Sequence, residues 1–126
     1  MGKLKLGAHA DLMTRMYDKA ALDIASQPNL ILLHVGTNDM LQNLDYENAH
    51  ARLGVLISWL FQNFQNVTII ASKLLPNGDP GTQERVNYTN KYIPDEIRAQ
   101  QLNGQKITYV DFSSSWWSVS DLRSDG

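Results

Sequence analysis

The sequence predicts an α/β fold, a three-layer sandwich with a parallel sheet. Three short apolar runs, at 30–35, 67–71 and 107–112, have the length and character of buried strands. Helical patterns separate these runs, and a further helical pattern precedes the first of them. Because strands joined by helices run parallel, the order α-β-α-β-α-β predicts one parallel sheet. The 126 residues are interpreted as a single domain, 1–126.

Periodicity defines the elements of the first half. Asp11 to Gln27 has apolar residues at three- and four-residue spacing, which predicts an amphipathic helix. Leu30 to Val35 is apolar on both faces and is interrupted only by His34, as in a strand inside a sheet. Tyr46 to Phe64 carries a second helical stripe, and Val67 to Ala71 is the second strand.

The second half contains one long helix and the last strand. Residues 74–81 are rich in turn formers and predict a loop. Thr82 is the predicted cap of a helix from Gln83 to about Leu102, and Pro94 is expected to kink this helix or to start a new segment. Ile107 to Phe112 is the third strand.

Composition excludes several functional classes. The formal charge of −2 and the pI near 5.8, without a Lys/Arg cluster, argue against a nucleic-acid surface and against an anionic membrane. The chain has no cysteine, so disulfides, thiolate chemistry and Cys-ligated zinc are excluded. Acidic residues such as Asp95 and Glu96 have no His at metal-ligand spacing, and neither a metal nor a cofactor is predicted.

The sequence leaves the localisation open. The start, MGKLKLGAHADLM, has no continuous apolar region and is not an intact signal peptide. No apolar stretch approaches the ~20 residues needed to cross a bilayer. Asn66-Val67-Thr68 and Asn87-Tyr88-Thr89 fit the N-glycosylation sequon, which favours secretion only slightly.

Gly36-Thr37-Asn38-Asp39 directly follows the first predicted strand. In an open parallel sheet, ligands bind outside the carboxyl ends of the strands, where this segment must lie. Gly36 permits a tight turn, and the Asn38 amide is a donor suited to an oxyanion in acyl transfer. The alternative is that Asn38 and Asp39 form an Asx turn that caps the loop, and spacing alone favours this alternative.

The stretch HVGTND after an apolar strand resembles the third signature block of the SGNH, or GDSL-type, hydrolases. The stretches VTIIASKLLPN, TQERVNYTNKYIP and ITYVDFSSSWWSVSDLRSDG extend this resemblance to the acetylxylan-esterase-like carbohydrate esterases, from Gln27 onward. The resemblance implies that Asn38 donates to the oxyanion hole, with Gly36 and Thr37 beside the substrate. It also implies an ester hydrolase for acetyl esters or acetylated carbohydrates, and secretion.

The other family blocks are only partly matched. Asp125 stands where the Asp of the final Asp-x-x-His block is expected, but the chain stops at Gly126, before the His. No Gly-Asp-Ser block precedes the first predicted helix, and Gly7 is a weak match to the glycine of the second block. His34 is expected to be a hydrogen-bonded core residue, and no nucleophile–base pair is recognisable in sequence.

The resemblance therefore predicts a scaffold truncated at both ends, with little or no esterase activity by itself. The alternative is a non-catalytic interaction or ligand-binding module derived from the same fold. Because the missing first strand would lie beside Leu30 to Val35, this strand is expected to present an open edge, and a homo-oligomer through it is predicted. The competing interpretation is that Lys3 to Ala8 folds back as a short covering strand.

Overall fold

The computed structural model describes residues 3–6, 20 and 28–111, with residues 3–6, 37 and 38 described in their backbone only. Its elements, in chain order, are strand β1 (Lys3–Leu6), strand β2 (Leu30–Leu33), helix α1 (Thr37–Leu41), a 3₁₀ turn (Tyr46–Asn48), helix α2 (Ala49–Asn63), strand β3 (Thr68–Ser72), helix α3 (Pro80–Leu102) and strand β4 (Ile107–Val110). Within the described part of the chain, no helix combines the length and the apolarity needed to cross a membrane.

The described strands form one parallel sheet in the order β1-β2-β3-β4. The central pairing sets Leu30 opposite Thr68 and Leu33 opposite Ala71. The predicted α/β fold with a parallel sheet is therefore confirmed. The strand ends differ slightly from the prediction: β2 ends at Leu33 instead of Val35, and β3 starts one residue later than expected.

Strand β1 covers the edge of β2 that the sequence left open. Lys3 is paired with Leu30 and Leu6 with Leu33, so β2 is bonded to a neighbour on each side. The covering N-terminal strand was the competing interpretation, and the structure contains it over Lys3–Leu6. The predicted homo-oligomer through Leu30 to Val35 stays untested, but the open edge that motivated it is absent from this sheet.

The core joins one face of the sheet to the two long helices. Ile31, Leu33 and Val35 alternate along the chain and are buried in the same cluster as the apolar stripes of α2 and α3. The helical members of this cluster are Leu53, Leu56, Ile57, Leu60, Ile93 and Ile97. Burying each large aliphatic side chain stabilises the fold by about 1.5–3 kcal/mol. Ala20, the one described residue of the predicted helix 11–27, is helical and buried here.

Helix α3 begins earlier than the sequence suggested. Asp79, and not Thr82, is the N-cap: its Oδ2 accepts from the Thr82 N–H at 2.9 Å and from the Thr82 Oγ1 hydroxyl at 2.8 Å. Pro80 then occupies the first turn, where a missing N–H costs no hydrogen bond. The helix runs through Pro94 as one element of 23 residues, so no new segment starts there.

We expect the Asp79 cap to make helix stability pH-dependent. The bonds from Thr82, first its backbone N–H and then its hydroxyl, lower the pKa of Asp79 below the usual range of an aspartate. Because the pKa of Asp79 is lower in the folded state, its ionised form stabilises the folded protein. This stabilisation is fully present above the unfolded-state pKa and is lost as the pH falls through the folded-state pKa. Asp79→Ala should therefore lower the thermal midpoint at neutral pH, and this deficit should shrink in acid. Differential scanning calorimetry over a pH series measures it, and a deficit that does not change with pH would contradict the assignment.

Removal of β1 should expose β2 and drive association. Each buried backbone hydrogen bond left unmade costs about 1–3 kcal/mol, and an open apolar strand edge recruits another chain. A chain that lacks residues 1–6 is expected to form dimers or larger species, whereas the full chain should not associate through β2. Light scattering coupled to size exclusion gives both masses, and the same mass for the two chains would argue against the covering role of β1.

Candidate functional site

A glycine turn follows strand β2 at the carboxyl edge of the sheet. Gly36 has a φ of 111°, a backbone conformation that side-chain-bearing residues rarely adopt. Its carbonyl accepts the Met40 N–H at 3.0 Å, so α1 begins directly after the turn. Thr37 and Asn38 are the first residues of α1, and their backbone lies at this edge. The turn needs glycine, as the sequence predicted.

Asp39 is directed into the protein and is held by an arginine of α2. Its side chain is 0% exposed, and its Oδ2 accepts from Arg52 Nη2 at 3.1 Å. The same guanidinium donates to the carbonyls of Leu44 at 2.7 Å and Asp45 at 2.9 Å. Arg52 thus links three residues of the loop, Asp39, Leu44 and Asp45, to α2, and its positive charge compensates the buried Asp39 carboxylate. The alternative interpretation, an Asx turn formed by Asn38 and Asp39, stays a prediction.

A second arginine fixes the far end of α1. Arg85 Nε, from α3, donates to the Met40 carbonyl at 2.7 Å. The Thr89 hydroxyl contacts Met40 Sδ at 3.3 Å, and Met40 itself is fully buried. Contacts from both long helices therefore determine where the five-residue helix α1 and its preceding turn lie.

His34 and Ser72 meet at the ends of β2 and β3. His34 Nδ1 lies 2.5 Å from Ser72 Oγ, and Ser72 is 8% exposed while His34 is half-buried. The register that pairs Leu33 with Ala71 brings the next residue of each strand together. The sequence prediction of a hydrogen-bonded His34 is confirmed, although this side chain lies at the carboxyl edge and not in the apolar core.

A charged pair extends this edge to β4. Lys73 Nζ lies 3.4 Å from Asp111 Oδ2 and 5.6 Å from the centre of the Tyr109 ring. The Lys73 N–H also donates to the Val110 carbonyl at 2.9 Å, which aligns the two strand ends. Polar and charged side chains therefore follow three neighbouring strands at the edge where parallel sheets bind ligands.

A histidine and a glutamate from different helices form a further pair. His50 Nδ1 lies 3.3 Å from Glu96 Oε1, and the imidazole stacks on the Tyr92 ring at 4.8 Å. Spacing along the chain gave Glu96 no histidine partner, and only the packing of α2 against α3 creates one. Among the described residues, no group of three or more His, Asp or Glu side chains could hold a metal ion.

The predicted site residues are only partly within the described chain. Gly36 and the backbone of Thr37 and Asn38 lie together at the carboxyl edge. The Asn38 side chain, on which the oxyanion assignment depends, lies outside the description, and so do Gly7 and Asp125. The roles assigned to these residues stay predictions.

Comparison with solved structures supports the fold. The chain superimposes on a proposed lipolytic protein of the G-D-S-L family from Desulfitobacterium hafniense DCB-2, with a TM-score of 0.68 and 17% sequence identity. The chain has an SGNH/GDSL-like fold. The match covers 90% of this chain but only 60% of the other protein, so this chain spans about three fifths of its structural neighbour. No protein-family profile and no curated protein match the sequence.

Sequence reasoning missed the pairs that the register and the helices create. His34 and Ser72 each follow the last inward-facing apolar residue of a strand, and this equal offset is the signal that could have paired them. Arg52 lies 13 residues after Asp39, on a helix face whose contacts the sequence does not determine. Neither pair could be assigned without knowing how strands and helices pack.

Loss of the Arg52 guanidinium should be strongly destabilising. Arg52→Ala leaves the buried Asp39 carboxylate without its cation, and removing one partner of a buried pair costs about 3–5 kcal/mol. Urea denaturation of Arg52→Ala, of Asp39→Asn and of the double variant measures the coupling. Because Arg52 is partly exposed and can be solvated, Asp39→Asn should cost less than Arg52→Ala.

Arg98→Ala is the matched control, since Arg98 is an exposed arginine of α3. Its effect should stay within about 0.5 kcal/mol, as for most surface substitutions. A similarly small effect of Arg52→Ala would show that the ion pair does not hold the loop.

Proposed function

We propose that this chain is an SGNH-type carboxylic ester hydrolase scaffold for acetyl esters or acetylated carbohydrates. The observation that carries the proposal is the position of the Gly36-Thr37-Asn38 turn at the carboxyl end of β2, in a fold shared with a proposed lipolytic G-D-S-L protein. The acetylated-carbohydrate class rests on the sequence resemblance alone.

The groups at this turn suit the stabilisation of negative charge. Attack on an ester carbonyl places charge on its oxygen, and pre-oriented N–H donors stabilise that charge. In the proposal, the Asn38 amide is such a donor, and Gly36 lets the backbone approach the substrate closely. Asp125 would orient a histidine base. The interactions of Asp39 with Arg52 and of Met40 with Arg85 support this role, because they fix the two residues that directly follow Asn38.

The proposed hydrolysis needs a nucleophile and a proton acceptor in addition to this turn. In the family pattern, these come from a Gly-Asp-Ser segment and from a His beyond Asp125, and neither is present in this chain. A longer product or a partner chain would have to supply them. The second candidate is a ligand-binding module without catalysis.

The isolated chain is expected to hydrolyse a small acetyl ester no faster than a buffer blank, because Asn38 and Asp125 can stabilise and orient but cannot attack. The pair His34–Ser72 is the internal alternative, since a serine beside an imidazole is the arrangement of an activated nucleophile. Hydrolysis of p-nitrophenyl acetate by the purified chain and by Ser72→Ala decides this point. Robust turnover that is lost in Ser72→Ala would overturn the prediction, whereas binding of an acetylated oligosaccharide without turnover would favour the binding module.

A product extended by a Gly-Asp-Ser segment and a His after Asp125 should be active. In it, Asn38→Ala should lower kcat about 10²–10³-fold with little change in KM, as expected for loss of one oxyanion-hole donor. Gln42→Ala, an exposed neighbour at the end of α1, is the control and should leave kcat unchanged. Equal kcat for Asn38→Ala and the unaltered product would refute the oxyanion assignment.

A further inference from the structure

A cleft of about 200 Å³ lies at the amino edge of the sheet, opposite the candidate site. Phe61 and Phe64 of the α2 end, Asn66 of the following turn, and Gln105 and Lys106 before β4 line it. Phe64 is buried and Phe61 is half-buried, so the Phe61 ring supplies the aromatic surface of a cleft that is otherwise mostly polar. This combination suits a sugar ring, which has both apolar and hydroxylated faces.

Asn66 is exposed on the turn that enters β3. Its φ is 55°, in the left-handed region that Asn tolerates better than most residues. Val67 is buried and anchors the turn, and Thr68 is half-buried at the start of the strand. The sequon Asn66-Val67-Thr68 therefore presents its amide on a tight surface turn that lines the cleft.

The second sequon, Asn87-Tyr88-Thr89, lies inside helix α3 and provides an internal comparison. Thr89 is 2% exposed, and its hydroxyl contacts Met40 Sδ. Asn87 Oδ1 accepts from Gln83 Nε2 at 2.7 Å. Recognition of this sequon would require α3 to unwind and the Thr89 hydroxyl to leave the core, whereas Asn66 requires neither.

We propose that Asn66 is an N-glycan acceptor and that the adjacent cleft seats the first N-acetylhexosamine. In the transfer, Asn66 Nδ2 bonds to the anomeric carbon of a lipid-linked diphosphate oligosaccharide. The bond from that carbon to the diphosphate breaks, and Nδ2 loses a proton to the transferring enzyme. The glycan would leave the amino edge of the sheet, and the turn at Gly36 on the opposite edge stays open. The inference does not depend on the esterase proposal.

Secretion of the full chain behind an added signal peptide from a eukaryotic host, followed by peptide mass spectrometry, tests the acceptor. Enzymatic release of the glycan should convert Asn66, and not Asn87, to Asp. Thr68→Val keeps a β-branched residue in the strand and should abolish the modification, Thr68→Ser should retain it, and Asn87→Gln should leave the glycan mass unchanged. An unmodified Asn66, or equal occupancy of the two sequons, overturns the proposal.

Binding of the first sugar in the cleft is tested separately, by thermal unfolding. With the glycan trimmed to its first sugar, the chain should unfold at a higher temperature than the fully deglycosylated chain. Phe61→Ala should remove this difference, although the variant is itself less stable, because the comparison is made within each variant. A difference that persists in Phe61→Ala would place the sugar outside the cleft.

Discussion

The rest of the structure depends on the parallel register of β2 against β3. Setting Leu33 opposite Ala71 places the carboxyl ends of the two strands within one residue of each other. Their next residues, His34 and Ser72, are consequently neighbours, and Gly36 follows at the same edge. A shift of one residue would turn Ile31 and Leu33 to the other face of the sheet, away from the helices. Burial of these side chains therefore stabilises the observed register over the shifted one. The same pattern that builds the core therefore positions the candidate site.

The loop after β2 combines a conformational requirement with an electrostatic one. Gly36 supplies a backbone angle that other residues adopt only with strain, and the turn directs the chain into α1. A helix of five residues is too short to be stable alone. Its stability must come from tertiary contacts, and Arg52 and Arg85 provide them from two different helices. Burial of Asp39 is unfavourable unless it is paired, so the loop conformation and the ion pair depend on each other.

Sequence reasoning succeeded where a pattern is long and repeated. The apolar run of β2 and the helical stripe of α2 each carry several residues that agree, and both elements are present. It failed where the deciding contact is distant. A covering strand at Lys3 to Ala8 was only the competing interpretation, because so short a segment does not reveal its partner, and the pairing of β1 with β2 supplies that partner. The start of α3 is a different failure: Pro80 after Asp79 is a local signal for a helix start, and choosing Thr82 overlooked it.

The same difference between local patterns and distant contacts applies to the candidate catalytic groups. A glycine turn and an amide at a strand end can be recognised from a few adjacent residues, because one loop supplies them. A nucleophile and its base are separated along the chain, and only the register reveals a pair such as Ser72 and His34. At 8% exposure, Ser72 offers little surface from which its oxygen could reach an ester carbonyl. Reaction requires the nucleophile to approach the carbonyl carbon to about 3–3.5 Å, with that carbonyl oxygen held at the oxyanion donors. A hydrogen bond between a serine and a histidine at strand ends meets neither part of that requirement, so the His34–Ser72 pair alone does not account for ester hydrolysis.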